Sequence, residues 1–389
     1  MLIEQKRHLL NPVARPDRVM VRGKGSELWD DAGRRYLDFV QGWAVNALGH
    51  CPDEIAGALA RQSTTLVNAS PAFHNECELE LASRLAALSS MSRVFFCNSG
   101  AEANEGAIKL ARKWGKLHRD GAYEIVTTVN AFHGRTLATM AASGKPAFEG
   151  LFPPAMPGFV KVPFGDADAI RRAIHAKTVA IFVEPIQGEA GVVVPEDGYL
   201  AKLREIADAH GVLLMVDEVQ TGIGRTGTMF AHQHDGVAVD VMTLGKGLGG
   251  GVPLAATVAS ERASCFAPGE QGGTFNGNPL MTAVGLAVVD AVARPGFLDG
   301  VRAHGELLRD SLASLGARSG IVEVRGRGLL VAARLDTPRA ESVRDAAFER
   351  GLLINAPRPD TLRFMPALNV AEIEIAEMID DLARVLAER

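Results

Sequence analysis

Short apolar runs alternate along the chain with longer stretches in which apolar positions recur at helical spacing. Val94-Phe95-Phe96 predicts a strand, and Ala101 to Trp114 a helix with Ala103, Ala107, Leu110, Ala111 and Trp114 on one side. Ile125-Val126 opens a second strand, and Val179 to Val183 forms a third. Tyr199 to His210 is helical, with Leu200, Leu203, Ile206 and Ala207 on one face and Gly211 as the stop signal. Val212 to Val216 and Val239 to Leu244 are a fourth and fifth strand, and Pro253 to Val258 also reads as one. Strands separated by helices predict an α/β fold of βαβ units, with a mostly parallel sheet covered on both faces.

The pattern changes near Pro295. Ile321 to Val324 and Leu329 to Ala333 predict neighbouring strands around a Gly-rich turn, and Ala340 to Arg350 and Val370 to Glu388 predict helices. Together they make a smaller α+β unit. Near the start, Glu27-Leu28-Trp29 and Arg35-Tyr36-Leu37, split by Asp31-Ala32-Gly33, predict a hairpin. Boundaries near residues 50 and 290 give an N-terminal segment 1–49, a large domain 50–290 and a C-terminal small domain 291–389.

Composition narrows the function classes. The 389 residues are 47% hydrophobic and 22% charged, an ordinary globular mix. The net charge of −5 is spread without long blocks of one sign, so no nucleic-acid or anionic-membrane partner is expected. No apolar stretch approaches the roughly 20 residues of a membrane span. Met1 to Arg7 has no apolar run, so no signal peptide is expected. Cys51, Cys77, Cys97 and Cys265 form no C-x-x-C pair; reduced, buried thiols of a cytosolic protein are the plain expectation.

Two stretches, Gly222 to Gly227 and Gly245 to Gly250, match G-x-G-x-x-G, but neither sits between a strand and a helix, so nicotinamide binding is set aside. Lys246 is no P-loop lysine either, because G-x-x-x-x-G-K-[ST] is missing. The strand Val212 to Val216 runs into Asp217. In open α/β sheets such strand ends face the ligand crevice, where a buried acid stays ionised if a cation pairs with it. A structural aspartate capping a loop fits equally well. Lys246, flanked by Gly245, Gly247 and Gly249 to Gly251, follows the next strand. Desolvated there, it would be a usable amine nucleophile; taken alone, a solvated loop lysine is the plainer reading. Asn98-Ser99-Gly100-Ala101 joins a strand to a helix and offers an anion site, or merely an N-cap. Gly272 to Pro279 is a second such turn, from which Thr274 could reach a phosphate. In Phe132-His133-Gly134-Arg135, Phe132 could stack on a flat ring and Arg135 take a carboxylate; core packing and a surface charge are the alternatives.

The order of these strings is more telling than any one of them. Phe95 to Glu105, Phe132 to Thr136, Val183-Glu184-Pro185-Ile186-Gln187-Gly188-Glu189, Val216 to Gly222 and Gly245-Lys246-Gly247 resemble the class III aminotransferases, and among them the acetylornithine branch, from Gly25 to the C-terminal helix. The resemblance implies a fold type I architecture. Its large domain carries a mostly parallel seven-stranded sheet, and its small α+β domain is built from both termini, so that segment 1–49 joins the small domain. It implies pyridoxal 5'-phosphate as cofactor and a cytoplasmic homodimer with shared active sites. Lys246 would be the Schiff-base lysine, Asp217 the partner of the pyridinium nitrogen, and Gln220 that of the ring hydroxyl. Val219 and Phe132 would sandwich the ring, with Glu218 also among the cofactor contacts. Ser99, Gly100 and Ala101 would hold the phosphate, with Thr274 reaching it from the other subunit. Arg135 and Arg363 would bind carboxylates, Glu189 would screen Arg363 while the amino donor is bound, and Gly273 would border the substrate. The chemistry implied moves the terminal amine of an acyl-ornithine, N-acetylornithine first, to 2-oxoglutarate. Succinylornithine, ornithine, 4-aminobutyrate and succinyl-diaminopimelate are alternative donors, and a glutamate-1-semialdehyde type of aminomutase an alternative reaction. The chain departs from the family pattern at Cys51-Pro52-Asp53, at His74, where an aromatic is common, and at Gly273, where serine is common.

Overall fold

The computed structural model describes residues 3–10, 13 and 15–388, with only the backbone of 317 and 318. Met1 and Leu2, on which the reading of the N-terminal run begins, lie outside the described residues.

The central sheet has seven strands: β4 (Arg93–Cys97), β5 (Glu124–Thr128), β6 (Phe159–Val162), β7 (Thr178–Val183), β8 (Leu213–Asp217), β9 (Val241–Leu244) and β10 (Ala255–Ala259). Their order is β4-β10-β9-β8-β7-β5-β6. From β9 through β6 all neighbours are parallel, and β10 alone runs antiparallel to both its partners. The sheet is therefore mostly parallel, as expected. Its inner strands are apolar because both faces are covered: β7, β8 and β9 are buried at every position.

The first sheet holds β1 (Met20–Lys24), β2 (Glu27–Asp30), β3 (Arg35–Asp38) and β13 (Leu352–Leu353). β2 and β3 form the predicted hairpin, and β3 pairs in parallel with β13 from far along the chain. The third sheet, in the order β11-β12-β15-β14, holds β11 (Ile321–Arg327), β12 (Leu330–Leu335), β14 (Asn355–Arg358) and β15 (Thr361–Phe364). β11 and β12 are antiparallel around the Gly-rich turn. The expectation of buried thiols holds fully only for Cys97: Cys77 and Cys265 are half-buried, and Cys51 is exposed, in a left-handed turn at φ +48°. Among the described residues no single helix is long and apolar enough to cross a membrane.

Helix Gly100–His118 lies across the sheet, burying Ala103, Ala107, Ile108, Leu110, Ala111 and Trp114. Its N-terminus is thereby fixed at the strand ends. The approach is close near its other end, where a Cβ on Gly115 would stand 2.0 Å from the Ala122 carbonyl oxygen and 2.7 Å from Val179 Cγ2. Backbone cannot yield as a flexible side chain does. Gly115→Ala should therefore destabilise the protein by about 1–3 kcal/mol, read as a lower urea midpoint; an unchanged midpoint would show that the helix is free to shift.

Candidate active site

β8 and β9 are neighbouring parallel strands, with Asp217 in register with Thr243. Their carboxyl ends bring Asp217 and the segment carrying Lys246 to one edge of the sheet. The Asp217 carboxylate is buried and held from three sides. Its Oδ2 accepts from Asn104 Nδ2 at 2.7 Å and faces His133 Nδ1 at 2.8 Å, while Oδ1 accepts from the Val219 N–H at 3.0 Å. Asn104 is itself fixed, donating to the His133 carbonyl and accepting from Thr243 Oγ1, both at 2.7 Å. The His133 ring stacks on Phe182 with centroids 4.4 Å apart. A carboxylate gripped this way cannot rotate, and it stays aimed into the crevice.

Lys246 has φ +43°, a left-handed conformation uncommon for a residue with a side chain and found at ligand sites. Burial pushes its ammonium below the ordinary lysine range. The carboxyls of Glu189, Asp217 and Glu184 oppose that shift, and the positive Arg363 adds to it. All four groups are thus near enough to act on the lysine.

Two carboxyls five residues apart are driven in opposite directions. Glu184 follows β7 and accepts from the Phe132 N–H at 3.0 Å. Burial, reinforced by the facing Asp217, raises it to about 8. Burial also raises Glu189, but Arg363, Lys145 and Lys246 outweigh it and hold this carboxyl down at about 2. Glu189 Oε1 accepts from Arg363 Nη2 at 2.7 Å, and Oε2 from Lys145 Nζ at 3.1 Å. Arg363 is 1% exposed and also donates to Asn355 Oδ1 and Gln220 Oε1.

Ser99 caps helix Gly100–His118 in a capping box: its Oγ accepts from the Glu102 N–H, and Glu102 Oε2 accepts from the Ser99 N–H. The ordinary N-cap reading is therefore correct, and the Ser99 hydroxyl still has its own proton to donate. The N–H groups of Gly100 and Ala101 follow at the positive end of the helix, a setting that suits a phosphate. Val219 lies against this turn; a Cβ on Gly100 would stand 2.7 Å from Val219 Cγ1. Gln220 Nε2 is buried without a partner among the described residues, a free donor suited to a ring oxygen. An anion cradle, a buried carboxylate, an orphaned amide donor and a desolvated lysine fit pyridoxal 5'-phosphate as a set.

Arg135 is exposed and lies over Phe132 and Phe148, 5.9 and 5.1 Å from their centroids, without an ion pair among the described residues. Thr274 is exposed on a loop beside Gly273, and this loop returns to the cradle through Asn98 Nδ2, which donates to Asn276 Oδ1 at 2.8 Å.

The Glu218 side chain, expected among the cofactor contacts, is engaged elsewhere: its carboxylate accepts from the N–H groups of Ala231 and His232 and from Thr221 Oγ1. It follows Asp217 directly in an extended segment, so its side chain takes the opposite face. Conversely, Glu184, Asn104, His133 and Lys145 are members of the site that the sequence reading did not single out. Glu184 carried a usable signal, since an apolar strand runs into it just as β8 runs into Asp217.

The profile of the Aminotransferase class-III family matches residues 11–386. Over 382 residues the chain is 55% identical to acetylornithine aminotransferase 2 of Bordetella bronchiseptica, covering 97% of this chain and 96% of that one. It is 51% identical over 379 residues to the acetylornithine aminotransferase of Ralstonia nicotianae, covering 96% and 95%. Among solved structures it is similar to N-acetylornithine aminotransferase from Stenotrophomonas maltophilia, with 36% identity, a TM-score of 0.86 and 99% and 98% coverage. It is also similar to ornithine aminotransferase from Toxoplasma gondii, with 33% identity, a TM-score of 0.94 and 100% and 94% coverage.

The Glu184 carboxyl keeps its proton up to about pH 8 in the folded chain, against an ordinary value of 4.5. The unfolded chain therefore loses this proton first. Stability that is full below pH 4.5 drains away as pH rises towards 8 and levels off above it. Cofactor-free Glu184→Gln should gain on the parent as pH rises from 5.5 to 8.5, by a few degrees in melting temperature. A gap that does not widen would mean that Glu184 is ionised throughout.

Proposed function

This chain belongs to the class III aminotransferases and is a transaminase that works with pyridoxal 5'-phosphate, and we propose that it moves the terminal amine of N-acetylornithine to 2-oxoglutarate, giving N-acetylglutamate semialdehyde and glutamate. The observation that carries this reading is Arg363, a buried cation neutralised by a partly exposed acid, Glu189, within the site of Lys246 and Asp217. N-acetylornithine brings one carboxylate, which Arg135 takes while Glu189 masks Arg363. 2-Oxoglutarate brings two, and needs both arginines. One site serves both only if the mask can move.

The bound cofactor supplies an aldehyde for amines to condense with and a ring that draws electrons from the carbon losing its proton. Asp217 holds its charge against the ring nitrogen, and Asn104 and His133 keep it there. Lys246 Nζ, depressed by burial, is the base that takes a proton from the substrate carbon and returns it elsewhere. Ser99, Gly100 and Ala101 hold the phosphate, Gln220 orients the ring through its free Nε2, and Val219 and Phe132 close on the two ring faces. Because both half-reactions use one site, the kinetics are ping-pong.

The reading includes a homodimer. Phe73 and Phe275 are 70% and 62% exposed on two loops joined by the Asn75 Nδ2 hydrogen bond to the Gly277 carbonyl. An apolar surface of this kind beside Thr274 supports a second subunit seated there, with Thr274 donated to its phosphate site and Gly273 bordering its substrate. The division at residues 50 and 290, a cytoplasmic location and a place in arginine biosynthesis belong to the same reading.

Yellow holoenzyme mixed with single donors tests the assignment. N-acetylornithine should bleach it fastest, ahead of succinylornithine, ornithine, 4-aminobutyrate and succinyl-diaminopimelate; a faster rival would replace the assigned donor. Turnover without any keto acid would favour an aminomutase. Lys246→Ala should lose the absorbance shared with the cofactor and at least 1,000-fold in turnover, on the order of general-base and nucleophilic contributions combined. Asp217→Asn should retain cofactor yet lose most of its turnover, on the order of 100-fold or more; near-parent rates in either variant would remove that residue from its role.

A further inference from the structure

Glu189 touches two cations, and the three side chains differ in freedom. Arg363 is 1% exposed and tied to Asn355 and Gln220 as well. Glu189 and Lys145 are 25% and 21% exposed. When the Arg363–Glu189 pair opens, Arg363 stays and Glu189 moves. A carboxylate leaving its partner inside a cleft loses hydration it cannot regain, unless a second cation goes with it. Lys145 is already on its other oxygen.

The backbone of Lys145 is anchored independently of this pair. The preceding Gly144 donates its N–H to the Ala131 carbonyl and accepts from the Asn130 N–H. A Cβ on Gly144 would stand 2.2 Å from the Thr128 carbonyl oxygen. Segment 143–145 is thus laced to the turn that carries Phe132, and the ammonium sits 4.7 Å from the Phe132 centroid. Its position is set by the end of β5, not by Glu189.

We propose that Lys145 is the pivot of the Glu189 switch: a positioning residue that keeps hold of the carboxylate while Arg363 passes to the carboxylate beside the 2-oxo carbon of an incoming 2-oxo dicarboxylic acid. The proposal rests on the transaminase reading with 2-oxoglutarate as acceptor. Without the pivot, Glu189 has only Arg363 to pair with and competes harder against the acceptor. The donor half-reaction leaves the Arg363–Glu189 pair closed and should feel the change less.

The two half-reactions can be followed separately in holoenzyme by loss and return of the visible band. In Lys145→Met the half-saturating concentration of 2-oxoglutarate should rise about fivefold, the equivalent of one partly exposed ion pair. That of the donor should move by less than half as much. Lys145→Arg should restore the parent ratio. Simple attraction of a dianion by a lysine is separated by the double variant: in a Glu189→Gln background, Lys145→Met should add less than twofold. An equal rise for donor and acceptor, no rise for the acceptor, or an undiminished rise in the Glu189→Gln background would overturn the proposal. Lys145→Gln gives the same comparison if the methionine variant does not fold. If the parent bleaches with a donor other than N-acetylornithine, the donor assignment falls, and the Lys145 comparison is made with that donor.

Discussion

The site depends on keeping one carboxylate charged, still and dry at the end of a buried strand. An isolated ionised acid in such surroundings would take up a proton or turn towards water. Around Asp217, Asn104, His133 and the Val219 N–H saturate most of its acceptor sites. Each of these donors comes from a different element: helix Gly100–His118, the turn after β5, and the loop after β8. The packing of the helix on the sheet, and the close approach at Gly115, therefore serve the electrostatics of the crevice as well as stability.

The same crevice holds carboxyls with three different tasks, sorted by their neighbours. Asp217 is fixed by Asn104, His133 and a backbone N–H. Glu184 meets one backbone N–H and a facing negative charge, so it stays protonated to about 8. Glu189 meets Arg363 and Lys145 and is ionised down to about 2. A neutral Glu184 matters to its neighbours, because a second full charge beside Asp217 would pull a proton onto one of the two acids. Charge is thereby kept on Glu189, where the Arg363 guanidinium meets it.

Much of this was legible in the chain itself, and the gaps have physical causes. Helix Tyr199–His210 matches its predicted span because a clean apolar stripe ends at Gly211 in a left-handed cap. The inner strands were plain as apolar runs. Of helix Pro279–Val292 only the start at Pro279 was legible, because it is apolar on almost every side and has no period to follow. β14, Asn355–Arg358, was missed because it is a polar edge strand containing proline. In the site, Asp217 and Lys246 each carried a local signal, one by ending an apolar strand and the other by its glycines, but only the order of the strings decided between their readings. Lys145 carries no local signal: only the folding of segment 143–145 onto the end of β5 brings it to Glu189.

Arg363 belongs to β15, in a sheet separate from the one that carries Asp217 and Lys246, so its distance from them depends on how the two sheets are joined. Arg225 supplies a joint. It is fully buried, follows the loop after β8, and donates through Nη1 to the carbonyls of Leu329 and Pro366. No acid pairs with it among the described residues, and burial lowers it to about 9. A cation kept in such a place costs stability that an apolar side chain would not, but its Nη1 alone fixes two backbone carbonyls flanking β12 and β15. Arg363 is thus held in register with Lys246 through a guanidinium that touches neither.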